Sequence, residues 1–183
     1  LISTAIYAQP VDNEQKQAGY KKVVTERVVK IVNTLEINDS NKYDKVLSII
    51  TNQYFQLNTI HEESKAAAAE IKTKSLIKEK TEVALKAQKE KKVSTLLQQH
   101  EAFIAHLKEQ LTETQIDKVK DGMTYKVFPI TYSAYQDMLP KLTAEQKEKI
   151  YNWLKEAREL AMDAESSDKK HAVFGKYKGK INN

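Results

Sequence analysis

The sequence contains no cysteine, only four glycines and three prolines, and a single tryptophan among its 183 residues. The absence of cysteine excludes disulfides, thiolate catalysis and cysteine-ligated metal sites. The scarcity of glycine and proline argues against a loop-rich all-β fold, and no apolar run approaches the ~20 residues that a membrane-spanning helix needs. What the chain does contain is 40% apolar residues. Composition and length therefore predict one domain with a hydrophobic core and no membrane span.

The net charge of +5 is concentrated in one segment. Residues 65–92 contain nine Lys and four Glu, an excess equal to the charge of the whole chain. This segment has no aromatic residue to stack on bases and no Arg for bidentate phosphate contacts, so it does not fit a nucleic-acid interface. Mixed Lys and Glu at this spacing is typical of a solvated helix face. We expect a projecting Lys-rich helix here, and no nucleic-acid partner.

The first eight residues, LISTAIYA, are small or apolar and are followed by the polar run QPVDNEQKQ. This pattern is typical of the end of a secretory signal, with Gln9 as the first mature residue. A short buried strand or a cloning scar is the alternative. We expect residues 1–8 to be a signal remnant, 9–19 a flexible segment and 20–183 a single helical domain. The predicted location is outside the cytoplasm, either periplasmic or associated with the outer membrane.

Apolar residues recur at steps of three and four along nearly the whole chain, which is the period of a buried helix face. The clearest stripes run from Tyr20 to Leu35, from Tyr43 to Ile60 and from Val93 to Leu111. We predict an all-α fold, a single helical bundle of five or six helices. Its longest antiparallel pair should be built from residues 42–61 and 93–111.

The stretch from Glu63 to Gln110 contains neither Pro nor Gly. It predicts either one long helix with an under-packed first half or two helices broken near residues 91–94. Capping boxes, in which Thr and a Gln three residues later satisfy each other's backbone amides, start two later helices at Thr112 and Thr143. Between those helices, residues 123–140 are expected to form an irregular aromatic connection, extended at Pro129.

The tail DAESSDKKHAVFGKYKGKINN, from Asp163 onward, shows no sustained apolar period. Glycines at 175 and 179 are expected to break it, leaving only a short helix capped by Ser167. Such a segment is either a disordered end or an ordered loop that carries a site.

Three segments carry a family resemblance: MTYKVFPITYSAYQDMLP, LTAEQKEKIYNWLKEARELAMDAESSDKKH and FGKYKGKINN. They resemble recurring elements of a family of exported Bacteroidota proteins that is classed as a domain of unknown function. LEIND and YDKVLSIITNQYFQLNTIH are similar too, so the resemblance covers roughly residues 20–183 and departs in 65–92. The proposed role of that family is sugar binding, and it is linked with polysaccharide-utilisation systems, including those for pectin. The resemblance implies a glycan-related role and brings no catalytic residues.

No arrangement of residues predicts a reaction. Glu156, Glu159 and Asp163 share one helix face, and two carboxylates could cleave a glycosidic bond, but a surface stripe balanced by cations is the alternative. The four His show no metal-ligand spacing, and neither a Gly-x-Ser-x-Gly elbow nor a Walker loop occurs. We predict no catalytic residue, no metal and no cofactor.

Sugar recognition uses aromatic faces together with polar hydrogen-bonding groups. Five of the nine Tyr follow residue 124. We predict that the tail folds back against residues 123–135 and forms a polar-aromatic ligand site lined by Tyr125, Tyr132, Arg158, Asp163, His171, Lys176 and Tyr177. Alternatively, these aromatics belong to the core.

The function we predict is an exported, non-catalytic accessory or carbohydrate-binding protein of a glycan-utilisation system. Its ligand would be a glycan or oligosaccharide, which the tail lysines could accommodate if it were acidic, and other proteins of that system could be partners. Two alternatives stay open. One is a periplasmic helical, chaperone-like interaction protein, suggested by the Leu-Thr-x-x-Gln helix starts. The other is a glycan-active enzyme.

Overall fold

The computed structural model describes residues 11–74 and 77–183, and over these residues the chain forms seven α-helices and no strand. The all-α prediction is confirmed for this part of the chain, although the helices number seven rather than five or six. The expected signal remnant lies outside the described residues, and the first helix already begins at Val11, inside the segment expected to be flexible. The helices are α1 Val11–Asn33, α2 Ser40–Lys74, α3 Lys78–Gln110, α4 Glu113–Met123, α5 Val127–Met138, α6 Ala144–Met162 and α7 Ser167–Asn182.

The larger of two hydrophobic clusters lies between α1, α2, α3 and α4. The three apolar stripes of the sequence supply most of it, and burial of each large aliphatic side chain stabilises the fold by about 1.5–3 kcal/mol. Helices α2 and α3 run antiparallel, and Gln99 Nε2 of α3 donates to Gln53 Oε1 of α2 at 2.7 Å. The fully buried members of this larger cluster are Val24, Val28, Val32, Leu35, Val46, Ile50, Phe103, Leu107, Ile116, Val119, Met123 and Met162.

The second cluster lies between α5, α6 and α7 and is separate from the first. Its buried members are Phe128, Tyr135, Ile150, Leu154, Ala157, Ala161 and Phe174. The core of the described residues is therefore divided into two clusters, and the single bundle stays a prediction. The two clusters meet where α4 and the end of α6 touch, since Met162 of α6 packs into the first cluster.

The helical hairpin reverses at a different place from the one predicted. Helix α2 continues past residue 63 and ends at Lys74, and α3 passes through residues 91–94 without interruption. No Pro or Gly lies between Glu63 and Gln110, so the pairing of the two helices, with Gln53 opposite Gln99, is set by packing. None of the described residues from 65 to 92 is buried.

The residues from 127 onward are also more helical than predicted. Pro129 lies in the first turn of α5, where a backbone N–H has no intrahelical acceptor, so proline is tolerated there. Helix α7 begins after Ser166, whose side chain accepts from the Lys169 amide, and continues through Gly175 and Gly179. The expected extended connection and broken tail were wrong because packing against α6 outweighs these weak local signals.

Candidate functional site

A cavity of about 420 Å³ opens where α1 and α2 meet the turns before α5 and α7, and we call it the junction cavity. Helix α1 contributes Tyr20 and Arg27, and Tyr125 closes one side from the turn between α4 and α5. Its full lining is Tyr20, Val23, Val24, Arg27, Tyr54, Leu57, Asn58, His61, Glu62, Lys65, Tyr125, Ala164, Glu165, Ser166, Ser167 and Lys170. The cavity therefore combines three tyrosine rings with amide, hydroxyl and cationic groups.

The side chain of Lys170 closes the inner end of the cavity and is only 4% exposed. Its Nζ donates to the Met162 carbonyl at 3.0 Å and to the Met123 carbonyl at 3.1 Å. These carbonyls belong to the last turns of α6 and α4, which lack intrahelical donors, so Lys170 fixes both helix ends. Burial lowers the pKa of Lys170 to about 8, against the attraction of Asp163. It is a structural cation that also faces the Tyr54 ring, 5.9 Å away.

The tyrosines are held by a small network around Arg27. The Tyr20 hydroxyl donates to the Tyr54 carbonyl at 3.2 Å, and the Arg27 guanidinium lies 5.8 Å from the centre of the Tyr54 ring. Burial raises the pKa of Tyr54 to about 12, so its phenol stays neutral at physiological pH. The cavity thus presents neutral aromatic surfaces beside a fixed positive charge.

Tyr125 adopts a left-handed backbone conformation, with a φ of 58°, and so does Lys126 after it. The turn is held by the Lys126 amide, which donates to the Asp121 carbonyl at 2.7 Å. The Arg27 guanidinium lies 5.5 Å from the Tyr125 ring, and His171 stacks on that ring with centroids 5.6 Å apart and planes 13° from parallel. A non-glycine residue in this conformation is uncommon and its cost must be offset by such contacts.

A second concavity, of about 570 Å³, lies on the other side of Arg27 and Tyr125, and we call it the basic groove. Four cationic side chains line it against one carboxylate, Glu26. Its lining is Val23, Glu26, Arg27, Lys30, Ile31, Thr34, Lys118, Gly122, Tyr125 and Lys126. The groove is therefore a basic surface with an apolar floor.

An ionic cluster joins α6 to α3 and α4 outside both concavities. Arg158 is 2% exposed, and its guanidinium donates to Asp121 at 2.8 Å and to Asp117 at 2.5 Å. Lys120 Nζ donates to Glu159 at 2.7 Å. Burial alone would raise the pKa of Glu159, but hydrogen bonds from His100 and Lys120 lower it to about 2. Two of the three carboxylates in the predicted α6 stripe thus have cationic partners, Glu159 with Lys120 and Asp163 with His100.

The seven predicted site residues do not share one concavity. Only Tyr125 lines the junction cavity and the basic groove, with His171 stacked on it. Arg158 and Asp163 belong to the ionic contacts at the end of α6. Tyr132 and Tyr177 pack against the second hydrophobic cluster, and Lys176 is exposed.

The predicted packing of the tail on residues 123–135 does occur, but mainly through apolar side chains. Phe174 packs with Phe128 and Tyr135, and the Tyr135 hydroxyl donates to Asn182 Oδ1 at 2.8 Å. The aromatic residues of this region therefore form core, which was the alternative interpretation. A ligand role for the seven residues stays a prediction.

Sequence reasoning missed Tyr20, Tyr54, Arg27 and Lys170. Tyr20 and Arg27 are seven residues apart, which places them on one helix face. Lys170 precedes Phe174 by four residues and so occupies a position of the buried stripe. Both spacings were visible in the sequence, but only the fold shows that the two faces meet.

Within the described ranges, no group of three or more His, Asp or Glu side chains is arranged to hold a metal ion. None of the described helices is long and apolar enough to cross a membrane.

The chain matches none of the curated proteins. One family profile does match it, over residues 21–183. This range includes the basic groove, the junction cavity apart from Tyr20, and the seven described helices apart from the start of α1. The chain belongs to the family described as protein of unknown function (DUF3826).

Proposed function

We propose that this chain is an exported, non-catalytic carbohydrate-binding protein of a glycan-utilisation system, and that the junction cavity holds the sugar. The observation that carries the proposal is the lining of that cavity, where three tyrosine rings lie beside Asn58, Ser167 and Arg27. Aromatic faces cover the apolar side of a sugar ring, and amide, hydroxyl and guanidinium groups bind its hydroxyls. The volume is in the range of small-ligand pockets. Export is supported by the small and apolar residues 1–8 and is tested by fractionating cells that produce the protein from its own gene.

The carboxylates of the cavity support binding rather than cleavage. Glu165 lies 3.6 Å from His61 Nδ1 and 3.7 Å from Lys92 Nζ, and Glu62 lies 3.9 Å from Lys65 Nζ. A glycosidase needs one protonated acid and one free base or nucleophile. Neither cavity carboxylate is free, because Lys92 faces Glu165 and Lys65 faces Glu62.

Affinity electrophoresis against a panel of plant and algal polysaccharides tests the proposal. We expect retardation of the wild-type protein by at least one polysaccharide, and loss of that retardation in Tyr125→Ala. Tyr151→Ala is the matched control, because Tyr151 lies outside the junction cavity and is also partly exposed. Absence of retardation across the panel would contradict the proposal, and release of oligosaccharides would replace it with an enzymatic function.

A second candidate function is a chaperone-like interaction protein, favoured by an apolar groove between α3 and α6. Val93, Leu97 and Leu160 line this groove and are 59%, 57% and 54% exposed. Exposed apolar patches of this kind mark interaction surfaces. The test is light scattering of an aggregating unfolded client. Suppression that is lost in Leu97→Ser and is independent of sugar would support this function, and no suppression would exclude it.

A further inference from the structure

We infer that the ligand is an anionic oligosaccharide that extends from the junction cavity, past Arg27 and Tyr125, into the basic groove. This inference rests on the proposed function and adds the charge and the length of the ligand. The shared chemistry is a saccharide chain bearing carboxylate or sulfate groups.

The two concavities form one surface along the outer face of α1. Val23, Arg27 and Tyr125 line both of them. Together the two volumes, about 420 and 570 Å³, exceed what one sugar ring would occupy. A chain of several sugars fits this arrangement better than a monosaccharide, with Tyr125 as the aromatic surface at the centre.

The charges of the basic groove are incompletely neutralised by the protein. Lys118 lies 3.4 Å from Glu36 and also donates to the Thr34 carbonyl. Among the described residues, neither Arg27 nor Lys30 has a carboxylate within ion-pair distance. A concave surface with excess charge of one sign attracts ligands of the opposite sign.

Arg27 is placed to recognise an anion specifically. Its guanidinium lies between the Tyr54 and Tyr125 rings, at 5.8 and 5.5 Å from their centres, so its position is restricted before any ligand binds. A planar guanidinium can donate two parallel hydrogen bonds to a carboxylate or a sulfate. Because the side chain is already ordered, less entropy is lost on binding.

Isothermal titration calorimetry with oligomers of galacturonic acid tests the inference, with their methyl esters as the matched uncharged ligand. We expect the acid form to bind at least tenfold more tightly than the ester, with an affinity that falls as salt screens the charges. Sulfated galactan oligomers form a second arm. Tighter binding of either acidic form than of its uncharged counterpart supports the inference, and the arm that binds identifies the anion.

Lys30→Gln combined with Lys126→Gln should weaken binding of the acidic ligand roughly tenfold and weaken binding of the ester much less. The control combines Lys141→Gln with Lys155→Gln, which removes the same charge from exposed positions outside both concavities. Equal weakening by both double variants would show only long-range attraction and would overturn the groove assignment.

The outcomes separate the two levels of the proposal. If the ester binds as tightly as the acid, the protein is still a carbohydrate-binding protein but the anionic ligand is wrong. If no saccharide binds in any arm, the proposed function itself fails. If single-stranded RNA binds the groove more tightly than every saccharide, the partner is a nucleic acid and the inference is overturned.

Discussion

His100 Nδ1 lies 2.9 Å from Asp163 Oδ2, which ties the second half of α3 to the residue that ends α6. Asp163 also accepts at its carbonyl oxygen from His61 Nε2, at 2.8 Å. Through these contacts α2 and α3 hold the turn that supplies Ala164 to Ser167 to the junction cavity. The cavity wall is thus positioned by a charge-assisted contact between α3 and the end of α6.

The first prediction concerns pH. Hydrogen bonds to Asp163 and Glu159 raise the pKa of His100 from 6.5 to about 9. Because the folded state binds this proton more tightly, the stabilisation is fully present below about pH 6.5 and is lost as the pH rises through 9. We expect the free energy of unfolding to fall by ~1 kcal/mol or more between pH 6.5 and 8, measured by urea denaturation.

His100→Gln should flatten that decline, since the titrating group is gone. His106→Gln is the control, because its imidazole is exposed and lies 3.9 Å from Glu109. The measurement stops at pH 8 because the pKa of Lys170 is lowered to about 8 in the folded protein. Above that pH the loss of its proton raises the free energy of unfolding, which would mask the decline caused by His100. An unchanged decline in His100→Gln would rule out this histidine as its source.

A second prediction is that Glu159 contributes to the loss of stability at acid pH. The pKa of Glu159 is lowered from 4.5 to about 2, so its stabilising contribution is present above pH 4.5 and is lost as the pH falls toward 2. Glu159→Gln should therefore lose stability at pH 6 and show a weaker pH dependence in the acid range. Glu148→Gln, at an exposed position of α6, is the control and should change neither. Identical acid transitions in the wild type and Glu159→Gln would contradict the prediction.

The buried guanidinium gives a third prediction. Arg158→Met leaves the partly buried Asp121 without its 2.8 Å partner, and removing one member of a buried pair costs about 3–5 kcal/mol. We expect the free energy of unfolding, measured by chemical denaturation, to fall by that amount. Lys155→Met, on the exposed face of α6, is the control and should leave it nearly unchanged. A loss below ~1 kcal/mol would mean that Asp121 finds another partner.

A fourth prediction is that alanine substitutions at the glycines change stability in opposite directions at different positions. A Cβ added at Gly175 or Gly179 would meet nothing within 4 Å, and both residues are helical. Gly175→Ala and Gly179→Ala should each raise the free energy of unfolding by roughly 0.5–1 kcal/mol, since alanine favours the helix. A decrease in either variant would show that α7 is interrupted there.

Gly122→Ala is the matched contrast, because its added Cβ would lie 2.8 Å from Ile31 Cγ1. Helices α1 and α4 approach closely at this point, and overpacking costs about 1–3 kcal/mol. Thermal denaturation of the three variants, at equal concentration, should therefore place two above and one below the wild type. Stabilisation by Gly122→Ala would contradict the close approach.

A fifth prediction separates the effect of Lys170 on stability from its effect on ligand binding. Lys170→Met leaves the carbonyls of Met123 and Met162 without their donor, so we expect a loss of about 1–3 kcal/mol in stability. Lys169→Met, next to it and exposed, should change little. At a temperature where the variant is folded, weaker binding of the acidic ligand would show that the cation also contributes inside the cavity.

The sequence by itself determined the elements whose signals are local. The capping boxes at Thr112 and Thr143 are both formed, with each Thr hydroxyl accepting from the Gln amide three residues on. Most of the stripes of α1, α2 and α3 became the first hydrophobic cluster, because a period near 3.6 places those side chains on one face. The start of the α3 stripe was wrong, since Val93 and Leu97 are exposed.

The tertiary structure alone decided the features that depend on residues distant in the sequence. Pro129 and the glycines of α7 only weakly disfavour a helix, and each glycine costs about 1 kcal/mol of helix stability relative to alanine. Packing of Phe174 and its neighbours outweighs this cost. The junction cavity brings together residues as far apart in sequence as Tyr20 and Lys170. Periodicity shows which face of a helix is buried, but it does not show which other helix packs against that face. Helical spacing therefore determined the helices of this protein, and the contacts between helices determined its candidate site.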